Sequence, residues 1–168
     1  HMLQANQDAA FSMYVSVNIS VKELNANWVK RIFSIIDEFS MPPQCVHIEI
    51  TESIFLGNIE EAISLLNQLV DIGISFAIDD FGTGYSSFSY LKHLPATYLK
   101  IDKTFVDDII KDPKTEQLVQ SIIFMGHGLD MKIIAEGIEN KEQADILSAM
   151  GCDYAQGYYF GKPVPAKK

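Results

Sequence analysis

The chain has 168 residues, a net charge of −9, 48% hydrophobic and 21% charged residues. This balance fits one soluble domain with a sizeable core. It argues against a protein that grips nucleic acid through a basic surface, and no apolar run reaches the ~20 residues of a membrane helix. His1-Met2 reads as a cloning scar, residues 3–162 as the domain and residues 163–168 as an exit tail. Cys45 and Cys152 fit no metal or redox spacing, so both are expected to be reduced structural thiols in a cytoplasmic protein.

Short β-rich runs alternate with amphipathic runs of helical length. A strand is expected over residues 14–18. A helix follows near residues 28–39, with Trp28, Val29, Ile32, Phe33, Ile36 and Phe39 on one face, ended by Met41-Pro42-Pro43. The second strand covers residues 46–50. Asn58 caps a helix over residues 59–72, Glu61 standing where a capping box places its acid, and Gly73 closes it. The third strand, residues 74–79, runs into the glycine-bearing loop 81–85 and a short helix over 88–93. The fourth strand is 98–101. A helix near 115–127 follows, with Leu118, Val119, Ile122 and Ile123 facing inward. The fifth strand is 132–136. Asn140 caps a helix over 141–150 that Gly151 ends, and the sixth strand lies near 154–156.

Strands alternating with helices imply βαβ units, a parallel sheet and right-handed crossovers. The six units average about 28 residues, against about 31 in a closed eight-stranded barrel of ~250 residues. The expected fold is therefore an α/β, TIM-like (β/α) barrel that is incomplete, with about six of eight units present. A complete doubly wound sheet is the alternative, but its usual phosphate loop does not occur here.

The polar residues fall in step with the strands. The apolar runs end in Asn18, Glu49, Asp79 with Asp80, Lys100 and Glu136, and the sixth carries Gln156. In a parallel barrel the strand C-termini open at one face, where the active site sits. Carboxylates and an amide are all-oxygen ligands and suit Mg²⁺ or Mn²⁺ better than zinc. Such acids would repel one another without cations. Metal ions would also let an acidic chain act on a phosphate. Asp79 and Asp80 would point to opposite faces of a regular strand. Both can serve one site only where the strand ends or bulges, and Phe81-Gly82 supplies such a break. Lys100 lies in an apolar run, where a lysine needs an acidic partner. It reads either as a buried ion pair or as a cation that orients an attacking water, and the two are compatible.

Taken together, the motifs resemble the EAL-domain family of cyclic-di-GMP phosphodiesterases. They are Val15-Ser16-Val17-Asn18-Ile19-Ser20, Ile48-Glu49-Ile50-Thr51-Glu52-Ser53, Ile78-Asp79-Asp80-Phe81-Gly82-Thr83-Gly84-Tyr85-Ser86-Ser87, Leu99-Lys100-Ile101-Asp102, Ala135-Glu136-Gly137-Ile138-Glu139 and Gln156-Gly157-Tyr158-Tyr159-Phe160. The resemblance implies hydrolysis of cyclic-di-GMP to linear pGpG with two Mg²⁺ or Mn²⁺ ions. It implies Asn18, Glu49, Asp79, Asp80 and Glu136 as metal ligands, with Asp79 bridging. Lys100 then holds the hydrolytic water, with Glu136 beside it in the catalytic set. Glu52 steadies the loop 81–87, which the family ties to dimer contacts, and Gln156 lies at the substrate.

Two departures stand out. No Glu-Ala-Leu tripeptide occurs in the chain, although the family takes its name and one metal ligand from it. The chain is expected to start at the family's third strand. Lys103 and Thr104 stand where Arg and Ser are usual. Impaired hydrolysis in the truncated chain is therefore expected, and a non-catalytic cyclic-di-GMP receptor or interaction module is the alternative. Exposed sheet edges predict a homodimer or higher self-association. No nucleic acid polymer and no membrane contact are expected of the chain itself, and a membrane anchor elsewhere in a longer parent is compatible with this.

Overall fold

A computed structural model describes residues 14–20, 22–56, 58–83 and 88–164. The expected alternation is present: β1 (Val15–Ile19), α1 (Ala26–Glu38), β2 (Val46–Thr51), α2 (Ile59–Val70), β3 (Ser75–Phe81), α3 (Phe88–Leu91), β4 (Tyr98–Ile101), α4 (Lys103–Asp108), α5 (Pro113–Gly128), β5 (Lys132–Ala135), α6 (Lys141–Ala149) and β6 (Tyr154–Ala155). The strands follow sequence order, β1-β2-β3-β4-β5-β6, as successive crossovers of one hand require. The chain divides into two compact units, one reaching to Tyr98 and one from Leu99 onward.

In the first unit β1 pairs with β2 and β2 with β3, both parallel. Along β2 the buried residues Val46, Ile48 and Ile50 alternate with the partly open His47, Glu49 and Thr51. One face of the ladder is therefore apolar and lies under helices, and α2 contributes buried Ala62, Leu65, Leu66 and Leu69 to that layer. The opposite face carries the polar residues. α1 starts at Ala26, two residues before the expected position, because Asn25 accepts hydrogen bonds from the Asn27 and Trp28 amides at 3.0 and 3.1 Å. Its buried positions are Val29 and Ile36. Phe39, expected on the same stripe, is instead 70% exposed. It lies beyond the last helical turn, and Ser40 then reverses the chain at φ 47°.

α2 ends at Val70, and Gly73 closes the turn at φ 101° with its amide bonded to the Val70 carbonyl at 2.8 Å. Asn58 caps α2 by accepting the Glu61 amide, but the Glu61 carboxylate accepts from the Asn58 side-chain amide at 3.3 Å. The reciprocal backbone bond of a full capping box is replaced by this side-chain contact. Sequence periodicity gives no sign of the 3₁₀ turns Pro43–Cys45 and Glu52–Leu56, which are shorter than one amphipathic repeat.

In the second unit Asp102 caps α4, Asp112 caps α5 and Asn140 caps α6, the last through a capping box with Gln143. α4 has no counterpart among the expected elements, since six residues are too few to show a helical stripe. α5 begins at Pro113, earlier than residue 115, because proline suits the first helical position. Val119, Ile122 and Ile123 are buried, as expected, but Leu118 is 46% exposed. It sits about 100° around the helix from Val119, off the buried stripe. β5 and β6 pair in parallel, with Ile134 opposite Tyr154 and Ala135 opposite Ala155. Among the described residues no helix is long and apolar enough to cross a membrane.

Candidate metal centre

Register places the first set of polar residues. Asn18 lies opposite Glu49, Glu49 opposite Ala77, and Thr51 opposite Asp79. Neighbours across a parallel ladder share a face, and so do residues two apart on one strand. Asn18, Glu49 and Asp79 therefore share the polar face of three adjacent strands, towards their C-terminal ends. Asp79 is buried. All three offer oxygen, a donor set that fits a hard divalent cation such as Mg²⁺ or Mn²⁺ and not a soft one.

Asp80 breaks the strand's alternation. Its φ is 53°, in the left-handed region that a non-glycine residue adopts at a cost of roughly 1–3 kcal/mol. Such strain concentrates at functional sites, and the reversal frees Asp80 from the opposite face that a regular strand would impose. The strand ends at Phe81-Gly82 as expected from sequence, with Gly82 at φ 97°, and the left-handed Asp80 lies just before that end. The Asp80 amide bonds to Asp79 Oδ1 at 3.1 Å, and the Asp80 carbonyl accepts from Thr83 Oγ1 at 2.9 Å. Buried Glu52 reaches the same turn, its Oε2 accepting from the Gly82 amide at 3.2 Å. The rest of the loop, residues 84–87, lies outside the described residues.

The second unit carries Lys100, Glu136 and Gln156. Lys100 Nζ and Glu136 Oε1 form an ion pair at 2.8 Å. Glu136 stands just past β5, its amide donating to the Ile101 carbonyl at 3.1 Å. Gln156 stands just past β6; its amide donates to Ala135 O at 2.8 Å and its carbonyl accepts from the Ile138 amide at 3.0 Å. The backbones following three strands are thus stitched together where Glu136 and Gln156 emerge. Gly157 makes this possible, since a β-carbon there would lie 2.7 Å from the Ile138 carbonyl carbon.

Two features of these faces are not evident from the sequence motifs. His47, two residues before Glu49 on β2, is stacked between the rings of Tyr14 and Tyr98, with centroids 4.3 and 5.5 Å away. Burial holds its imidazole below the ordinary pKa, partly opposed by the Glu49 charge. The alternation of His47 with Glu49 on one strand is the signal that could have found it. The other feature is Lys103, bonded to both Asp107 and Glu139 at 2.6 and 2.8 Å. Its departure from the family pattern marks the position without showing what it binds.

The fold and these residues belong together in one family: the EAL domain model matches residues 1–163, and the chain is a member of the EAL domain family. It is 41% identical over 162 residues to the signaling protein YkoW of Bacillus subtilis, covering 96% of this chain and 20% of YkoW. It is 37% identical over 155 residues to MucR of Pseudomonas aeruginosa, a bifunctional diguanylate cyclase/cyclic di-GMP phosphodiesterase, covering 92% of this chain and 23% of MucR. The solved PaMucR phosphodiesterase in complex with c-di-GMP superimposes with a TM-score of 0.86 at 37% identity, over 91% of this chain and 62% of that one. Klebsiella pneumoniae BlrP1, solved with manganese and cyclic-di-GMP, gives a TM-score of 0.82 at 27% identity, over 91% of this chain and 40% of that one. The chain thus spans about a fifth of the length of these curated relatives.

Proposed function

We propose that this chain carries the reaction face of a phosphodiesterase that hydrolyses one bond of cyclic-di-GMP to give linear pGpG. The observation that carries the reading is the in-register placement of Asn18, Glu49 and Asp79 on one face of three parallel strands. The likeness to proteins described as cyclic-di-GMP phosphodiesterases supplies the substrate.

In this reading Asn18, Glu49, Asp79 and Asp80 of the first unit, and Glu136 of the second, are the residues that would hold Mg²⁺ or Mn²⁺. When bound, the ions supply Lewis acidity and balance charge on the phosphate. Lys100, held by Glu136, donates hydrogen bonds to the attacking water and presents positive charge as the phosphate gains negative charge. Glu136 Oε accepts the proton that the water gives up. Glu52 keeps the Gly82 turn in place, and Gln156 hydrogen-bonds the dinucleotide. The exposed apolar residues Val15 and Val17 on β1 support self-association of the chain through that edge. Light scattering tests this: a dimer or larger species is expected, and a monodisperse monomer at high concentration contradicts it.

A second reading is a receptor that binds the dinucleotide without cleaving it. Incubation with cyclic-di-GMP and Mn²⁺, followed chromatographically, separates the two. Slow pGpG formation that Lys100→Met abolishes supports the enzyme. Binding with no product supports the receptor, and neither binding nor product contradicts both.

A further inference from the structure

Lys103 is the first residue of α4. A helix N-terminus carries partial positive charge, so a cation there is unfavourable by itself. Its place is explained by what it touches. Nζ binds Asp107 Oδ1 at 2.6 Å, one turn along the same helix, and Glu139 Oε1 at 2.8 Å, 36 residues away. Between these contacts the aliphatic stem crosses Gly137. A β-carbon at Gly137 would stand 2.7 Å from both Lys103 Cβ and Cδ. Gly137 also has φ 71°, which glycine adopts without strain. The loop from Glu136 to Glu139 is thus gripped from one side by Lys103, while the Ile138 amide bonds Gln156 O on the other.

We propose that Lys103 is a positioning residue. Its stem and ammonium clamp the Glu136-Gly137-Ile138-Glu139 loop and so fix Glu136 against Lys100. The proposal deepens the phosphodiesterase reading, since it concerns the residue given the proton-accepting role there. An exposed ion pair contributes little to stability, so the effect belongs to the loop and not to the global fold. Arginine, the residue usual at this position in the family, keeps both the stem and the charge. It is expected to replace the lysine.

Amide hydrogen exchange followed by NMR tests the clamp. The reporters are the Glu136 and Ile138 amides, with the Ile123 amide in the middle of α5 as reference. Lys103→Ala is expected to speed exchange at Glu136 and Ile138 by about tenfold or more, leaving Ile123 unchanged. Lys103→Arg and the control Lys141→Ala, which removes the exposed pair with Asp145, are expected to match the wild type. Unchanged exchange at either loop amide in Lys103→Ala, equal acceleration at Ile123, or failure of arginine to rescue overturns the proposal. The measurement needs neither metal nor nucleotide, so the clamp stands or falls independently of the phosphodiesterase reading.

Discussion

Lys100 and Glu136 meet at 2.8 Å with side chains only 6% and 21% exposed. A nearly buried ammonium requires compensating charge, so the two residues respond differently to replacement. Glu136→Gln removes the negative charge while Lys100 stays in its buried position. It is expected to destabilise the chain by roughly 1–3 kcal/mol. Lys100→Met keeps the volume and removes the charge that needed compensation, and is expected to cost less. Urea denaturation of both variants checks the order; equal or reversed costs would count against a charge at Lys100 that depends on Glu136.

Asp153 holds the opposite end of β5. Its carboxylate accepts from the Ile133 amide at 2.9 Å, Lys132 Nζ at 2.8 Å and His127 Nε2 at 2.7 Å. Burial pushes its pKa up, but these donors together hold it below the ordinary value. A depressed carboxyl pKa stabilises fully above the unfolded-state value, about 3.9, and the contribution disappears as pH falls through the folded-state value. Asp153→Ala is expected to cost roughly 1–3 kcal/mol at pH 7. The gap from the wild type should narrow steadily below about pH 4. A gap independent of pH down to the acid limit would exclude the ionised carboxylate as its source.

Gly157 lies against the Ile138 backbone, with no flexible side chain there to give way. Gly157→Ala must therefore move main chain, at a cost typical of overpacking, about 1–3 kcal/mol. Gly151, where a β-carbon would meet nothing within 4 Å, has φ 86°, so alanine there brings backbone strain without a clash. Thermal denaturation should show Gly157→Ala as the more damaging of the two.

Burial pushes the Cys152 thiol up to about 11. Only on the order of one thiol in several thousand is then ionised at pH 7.5, and the thiolate is the reacting species. Alkylation of Cys152 should be very slow in the native protein and rapid in denaturant. Rapid native labelling would show that the site opens readily.

The βαβ order and most helices are legible in the sequence because hydrophobic period and caps coincide, as at Asn58 and Asn140. The site is legible as residue types at strand ends, and register shows why Asn18, Glu49 and Asp79 share a face. The errors have local causes. Phe39 and Leu118 are apolar but lie off the buried stripe, one beyond a helix end and one about 100° around it. α4 is too short for a period. The strand end at Phe81-Gly82 is legible, but the left-handed φ of Asp80 just before it leaves no signal of its own in the sequence. Lys103 and His47 leave only a positional mark in the sequence, one a departure from the family pattern and the other a place two residues before Glu49, because the partners of each are brought in by tertiary contact.

Calorimetric titration of the chain with Mn²⁺, alone and with cyclic-di-GMP, tests the oxygen-donor face most directly. The wild type is expected to bind the ion, Asp79→Asn to bind at least about tenfold more weakly, and Asp153→Asn, remote from that face in sequence and just before β6, to bind as the wild type does. Absence of Mn²⁺ binding to the wild type, or binding that Asp79→Asn leaves unchanged, would contradict the account.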